Sequence, residues 1–179
     1  MSIVTAIHGD DRPPAWTPWD GTPVDVPERG FAWIDGDGRE TGPLSLDALG
    51  GRHRILFFFF QHACPGCHSH GFPTLVRLVE QLRGAQLGFA AIQTAFEDFE
   101  ANRFERIAEN QERYGLSIPF GHAAPRPGSQ LPAIMADYRT GGTPWFVGID
   151  PAGRVLFDAF QLDARILVGA LRPVLAPDR

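Results

Sequence analysis

The chain has 179 residues, 44% of them apolar, which is enough for one domain with a full-sized core. Its net charge of −5 argues against nucleic acid as the main partner, because phosphate binding needs a basic face. All 16 basic residues are arginine, which excludes a Schiff-base lysine, a phosphate-loop lysine and a lysine general base.

Residues 1–30 are rich in Pro, Gly and Asp and predict an extended arm that packs through Trp16 and Trp19. A single domain over 31–179 follows. Phe31-Ala32-Trp33-Ile34 predicts a short strand, and Asp35-Gly36-Asp37-Gly38 a tight turn rather than a calcium loop, whose full acidic spacing is missing.

Arg54 to Phe60 is a continuous apolar run ending in four phenylalanines. Continuous rather than alternating apolar character predicts a central strand covered on both faces. The only two cysteines follow at once, in Cys64-Pro65-Gly66-Cys67. Leu75, Leu78, Val79 and Leu82 then fall at helical spacing, with Gly84 as the stop.

Leu87 to Gln93 predicts another strand, and Phe104, Ile107 and Ala108 a second helix ending near Tyr114-Gly115. Glu97, Asp98 and Glu100 precede that helix and favour its N-terminus, with Asp98 as the expected cap. Residues 116–143 read as an insertion with a strand at Ile118-Pro119-Phe120 and a helix from Leu131 to Tyr138. Trp145 to Ile149 and Val155 to Phe157 flank Asp150-Pro151-Ala152-Gly153 as a hairpin. Asp163 caps a last helix carrying Ile166, Leu167, Ala170 and Leu171, which Pro173 limits or kinks. Strands alternating with helices imply an α/β domain on a mostly parallel sheet, made mixed by the closing hairpin.

A strand, a Cys-x-x-Cys segment and a helix in that order place Cys64 at a helix N-terminus. Free N–H groups and the positive dipole end there stabilise a thiolate, the nucleophile of disulfide exchange. Cys67, one turn further in, is spaced to attack the resulting mixed disulfide. Pro65 pre-sets φ for a helix start, and Gly66 keeps the turn small. Two incidental thiols, or half of a zinc site, are the bland alternative. His62, His68 and His70 crowd the same loop as a polar rim, or else as partners of the cysteines in a zinc or copper site. Cys64 to His68 also matches the haem-attachment pattern, which a buried strand feeding the motif disfavours.

The segment Phe57 to Cys67 resembles the active-site strand and loop of the thioredoxin superfamily, and more narrowly its TlpA-like, AhpC/TSA-redoxin-like branch. Tyr138 to Arg154, with Gly142-Thr143-Pro144, is similar to that family's Gly-x-Thr-Pro segment and the hairpin after it. Gln111 to Phe120 resembles its insertion after the second helix. The resemblance covers about residues 31–175. It implies a thioredoxin fold: a central mixed sheet flanked by helices, with an N-terminal strand extension and an insertion before the cis-proline strand. It also implies a thiol–disulfide oxidoreductase with Cys64 and Cys67 as its redox pair and no other cofactor. Thr143 and Pro144, joined by a cis bond, would shape the substrate groove. The implied partners are a protein thiol or disulfide and an upstream reductant.

The sequence departs from the pattern in three places. Ala63 stands where the family usually has tryptophan. The buried acid on the central strand is replaced by phenylalanine. His68 and His70 occupy the place of a carboxylate, which makes them candidates for proton transfer. A peroxiredoxin-like peroxidase is one rival reading, but that family carries threonine where this chain has Gln61. A Cys/His metal-binding protein is the other. No run of roughly 18 apolar residues is present, so no membrane partner is expected. Without a visible export signal the expected location is cytoplasmic.

Overall fold

The computed structural model describes residues 32–42, 44, 48, 54–85, 87–150 and 154–175. The expected arm at 1–30 with Trp16 and Trp19, and the tip of the closing hairpin at 151–153, lie outside them. In chain order the elements are β1 (Ala32–Ile34), β2 (Glu40–Thr41), β3 (Arg54–Phe60), α1 (Phe72–Gln81), β4 (Leu87–Thr94), α2 (Ile107–Arg113), β5 (Phe120–Ala123), α3 (Ala133–Asp137), β6 (Trp145–Ile149), β7 (Val155–Ala159) and α4 (Ala164–Leu175).

Among the described residues the strands form one sheet in the order β2-β1-β5-β4-β3-β6-β7. β3 runs parallel to β4, and β4 to β5, while β6 and β7 are antiparallel. The sheet is therefore mixed, with β3 near its middle. Strand β3 is central because its phenylalanines are shared between two cores. Successive strand side chains face opposite ways. Phe58 and Phe60 pack with Phe72, Leu75 and Leu78 of α1, Phe146 of β6 and Leu167 and Leu171 of α4. Phe57 and Phe59 pack on the other face with Trp33, Ile92, Val147, Ile134 and Tyr138. All four are fully buried.

Asp35 closes its turn through Oδ1, which accepts from the N–H groups of Asp37 and Arg39, both at 2.9 Å. Asp163 Oδ1 caps α4 by accepting from Arg165 N–H at 2.8 Å, and the helix runs through Pro173 to Leu175 instead of ending there. Three further expectations need correction. The strand expected within the insertion at 116–143 is β5, which sits between β4 and β1. It is displaced, starting at Phe120, because Pro119 has no N–H and contributes only its carbonyl, which accepts from Ala91 N–H at 3.1 Å. The helix expected from Leu131 is only Ala133–Asp137, starting after Pro132. Finally, Asp98 does not cap the second helix. It holds a separate turn, accepting from Ala101 N–H at 3.3 Å, while Arg103 stands at the start of the 3₁₀ turn Phe104–Arg106 that leads into α2.

Candidate active site

Strand β3 ends at Phe60, and the chain turns through Gln61, His62 and Ala63 to Cys64. Cys64 and Cys67 are joined as a disulfide, with Cα atoms 5.2 Å apart. Cys67 N–H points at Cys64 Sγ at 3.1 Å, so a backbone donor faces the sulfur at the helix entrance. The same donor would stabilise a thiolate there once the disulfide is reduced. Cys64 is half-buried and opens on a groove, whereas Cys67 is 0% exposed beneath it. The residues Cys67–Gly71 form a π-helical turn before α1 begins, a distortion found often at functional sites.

Thr143–Pro144 is cis and precedes β6, the neighbour of β3. The Thr143 carbonyl oxygen lies 3.6 Å from Cys64 Sγ. Pro144 rests on the glycines of the motif helix: a Cβ built on Gly66 would meet Pro144 Cδ at 3.2 Å, and one on Gly71 would meet Pro144 Cβ at 2.9 Å. Gly66 and Gly71 therefore let the proline loop approach the cysteine turn. Pro65 is exposed in the groove wall with Ala63, where the expected family would place tryptophan.

The loop before Cys64 is held from two sides. Asn102, buried in the turn after β4, accepts His62 N–H on Oδ1 at 2.7 Å. Its amide donates to the carbonyls of Glu97 and Asp98 at 3.0 and 3.1 Å, tying the groove's far wall to the cysteine loop. On the other side His68 Nε2 donates to the His62 carbonyl at 2.6 Å, and Tyr114 Oη hydrogen-bonds His68 Nδ1 at 2.7 Å. A carbonyl only accepts, so Nε2 carries a proton, and Nδ1 shares a hydrogen bond with the Tyr114 hydroxyl. His62 is held in turn by Asn110, whose amide meets Nδ1 at 3.1 Å. Both nitrogens of His68 are thus engaged in positioning. His70 lies elsewhere, in a depression lined by Thr74, Arg77 and Asp163. The structure therefore separates the two histidines that the sequence grouped. Among the described residues no three His, Cys, Asp or Glu side chains are gathered to hold a metal ion. Gln61, Asn102, Asn110 and Tyr114 shape the site without any local sequence signal for it.

One pH dependence follows. His122 of β5 donates through Nε2 to the Asn102 carbonyl at 2.7 Å, and burial pushes its pKa down, partly offset by that bond and by Glu105. Burial also lowers His62, aided by Arg106 and opposed by Glu109. Both rings take protons more readily when unfolded. Their contribution to stability is present above the ordinary histidine value of about 6.5 and is lost as pH falls through the lowered folded values. The melting temperature is expected to drop as pH goes from about 7.5 to about 5, and His122→Gln, which keeps a donor without titrating, is expected to flatten that slope. An unchanged slope in this variant would remove His122 from the account.

No protein-family model matches the chain, and no curated protein matches it. Its fold, however, is shared with solved structures. A thiol-disulfide isomerase from Corynebacterium glutamicum is 24% identical, with 95% of this chain and 99% of that one covered and a TM-score of 0.67. The thioredoxin-like superfamily protein SPOA0173 is 27% identical over 89% of this chain and 98% of its own, with a TM-score of 0.66. A thio-disulfide isomerase from Thermus thermophilus is 20% identical over 92% and 100%, with a TM-score of 0.58. No described helix is long and apolar enough to cross a membrane. With a mixed sheet, a cysteine pair at the end of its central strand and a cis-proline loop across from it, the chain has the fold of the thioredoxin superfamily.

Proposed function

We propose that the protein is a thiol–disulfide oxidoreductase that exchanges the Cys64–Cys67 dithiol for a disulfide in a protein substrate. The observation that carries this reading is the asymmetry of the pair. Cys64 meets solvent in a groove, with the Cys67 N–H aimed at its sulfur, and Cys67 is sealed below it. In the reducing direction the Cys64 thiolate attacks a substrate disulfide, forming a mixed disulfide and expelling one substrate thiolate. Cys67 then loses its proton to solvent or a nearby base and attacks Cys64 Sγ. The enzyme disulfide forms, and the second substrate thiolate leaves. Two electrons pass to the substrate, and an upstream dithiol reductant restores the pair. Thr143 lines the groove, with Pro144 buried beside it against Gly66 and Gly71, and this loop would receive the substrate chain. The neighbours named as thiol-disulfide isomerases agree with this chemistry.

The test is alkylation. Brief iodoacetamide treatment of the reduced protein near neutral pH is expected to modify Cys64 at least about tenfold faster than Cys67, as thiolate character and access dictate. Faster modification of Cys67 would contradict the assignment of roles.

A further inference from the structure

Three features meet in the groove beside Cys64 that disulfide exchange itself does not use. The first is Gln61, three residues before Cys64, whose backbone carbonyl accepts Cys64 N–H at 3.3 Å. Its side chain lines the groove yet is only 5% exposed, and its Nε2–H has no acceptor among the described residues. Buried amides normally find a partner, so this donor, sealed from solvent at the groove wall, is one that a rotation of the side chain toward the groove would offer to a ligand oxygen. The second is Phe160, which is 47% exposed across the groove, its ring edge-on to Trp145. Phe96 adds a partly buried apolar wall. The third is charge. Glu97 and Asp98 line the same groove. The Glu97 carboxylate makes no ion pair among the described residues; Arg103 pairs with Glu100 at 3.2 Å and Arg106 with Glu109 at 3.1 Å, Arg106 also lying within electrostatic reach of Asp98.

We propose that this groove selects an extended, cationic and apolar polypeptide segment around the substrate cysteine, with Gln61 donating to one of its backbone carbonyls. This deepens, and rests on, the oxidoreductase reading above. A basic side chain on the substrate would lie against Glu97 and Asp98, and an apolar one against Phe160. Small anionic disulfides meet the same carboxylates unfavourably and offer nothing to Phe160. Charge complementarity of this kind acts mainly on encounter and partner choice.

The experiment uses the reduced full chain and two peptides that differ only in flanking Arg or Glu. Each peptide carries its cysteine as a disulfide with 2-mercaptoethanol, and rates are normalised to reaction with a free small thiol. The Arg peptide is expected to react about tenfold faster than the Glu peptide at low ionic strength, with the ratio shrinking at about 1 M salt. The E97Q/D98N variant is expected to bring the ratio close to one. Both positions are exposed, and asparagine tolerates the positive φ of 44° at position 98. Gln61→Leu is expected to lower the ratio of peptide exchange to hydroxyethyl disulfide exchange about fivefold, through loss of one donor to the bound chain. Equal rates for the two peptides, a preference unmoved by E97Q/D98N, or faster exchange with oxidised glutathione than with the Arg peptide would overturn the proposal. Failure to exchange with any of these disulfides, hydroxyethyl disulfide included, would instead contradict the oxidoreductase reading.

Discussion

Cys64→Ser is expected to abolish reduction of a protein disulfide such as insulin, with a loss on the order of a thousandfold or more, because no other thiol in the groove can attack. The chain has only two cysteines, and Cys67 is fully buried. Cys67→Ser should behave differently. Cys64 would still attack, but nothing would resolve the mixed disulfide, so the variant should turn over once and stop as a covalent adduct. On a non-reducing gel that adduct appears as a shift by the substrate's mass, reversed by dithiothreitol. Both substitutions remove a sulfur at the site and little else, so their melting temperatures, compared with the reduced wild type, should stay close to it. Residual steady-state turnover in Cys64→Ser would show that the chemistry sits elsewhere.

The largest effect on stability is expected at Phe58. Its ring lies 4.9 Å from Phe72 and 5.0 Å from Phe146, and it is stacked at 5.8 Å with Phe60. It also fills the space over Gly71, where a Cβ would meet its ring at 2.7 Å. Alanine there would leave a cavity between β3, α1 and β6, the elements that hold the cysteine turn against Pro144. Truncating a buried phenylalanine costs about 3–5 kcal/mol, which in a chain of this size lowers the melting point by roughly 6–20 °C. Phe58→Leu should cost roughly 1–2 kcal/mol, since most of the volume is kept. Thermal unfolding followed by circular dichroism reads both, and a drop of less than about 1 kcal/mol in the alanine variant would mean that this cluster does not support the site.

What the sequence made legible was whatever is written locally. Four phenylalanines in a row cannot all face one side of a strand, so their two-sided burial and the central place of β3 could be read directly. The Cys-Pro-Gly-Cys turn and the Thr-Pro step before β6 were likewise recognisable without a structure. Strand β5 lies beyond the expected Ile118-Pro119-Phe120 because Pro119 cannot donate to the ladder, and because Phe120-Gly121-His122-Ala123, lacking β-branched residues, carries little strand signal of its own. In the fold Gly121 makes room for the Trp33 indole, which a Cβ would meet at 2.8 Å. The clamp around Cys64 was illegible for another reason. Asn102 holds His62 across forty positions of sequence, and Tyr114 holds His68 across forty-six. No periodicity or motif encodes such pairs. Gln61 is legible only as a place where threonine is absent; the burial of its Nε2, which has no acceptor among the described residues, is a product of packing.

The central claim is that Cys64 and Cys67 form a reversible dithiol–disulfide pair. It is tested most directly by equilibrating the full chain with dithiol–disulfide buffers of stepped ratio and quenching with an alkylating reagent. The modified cysteines are then counted by mass spectrometry. The account predicts one two-electron transition, in which zero or two alkyl groups are found per molecule, and its loss in either cysteine-to-serine variant. Thiols that remain alkylatable across the whole range, or that oxidise only between molecules, would contradict it.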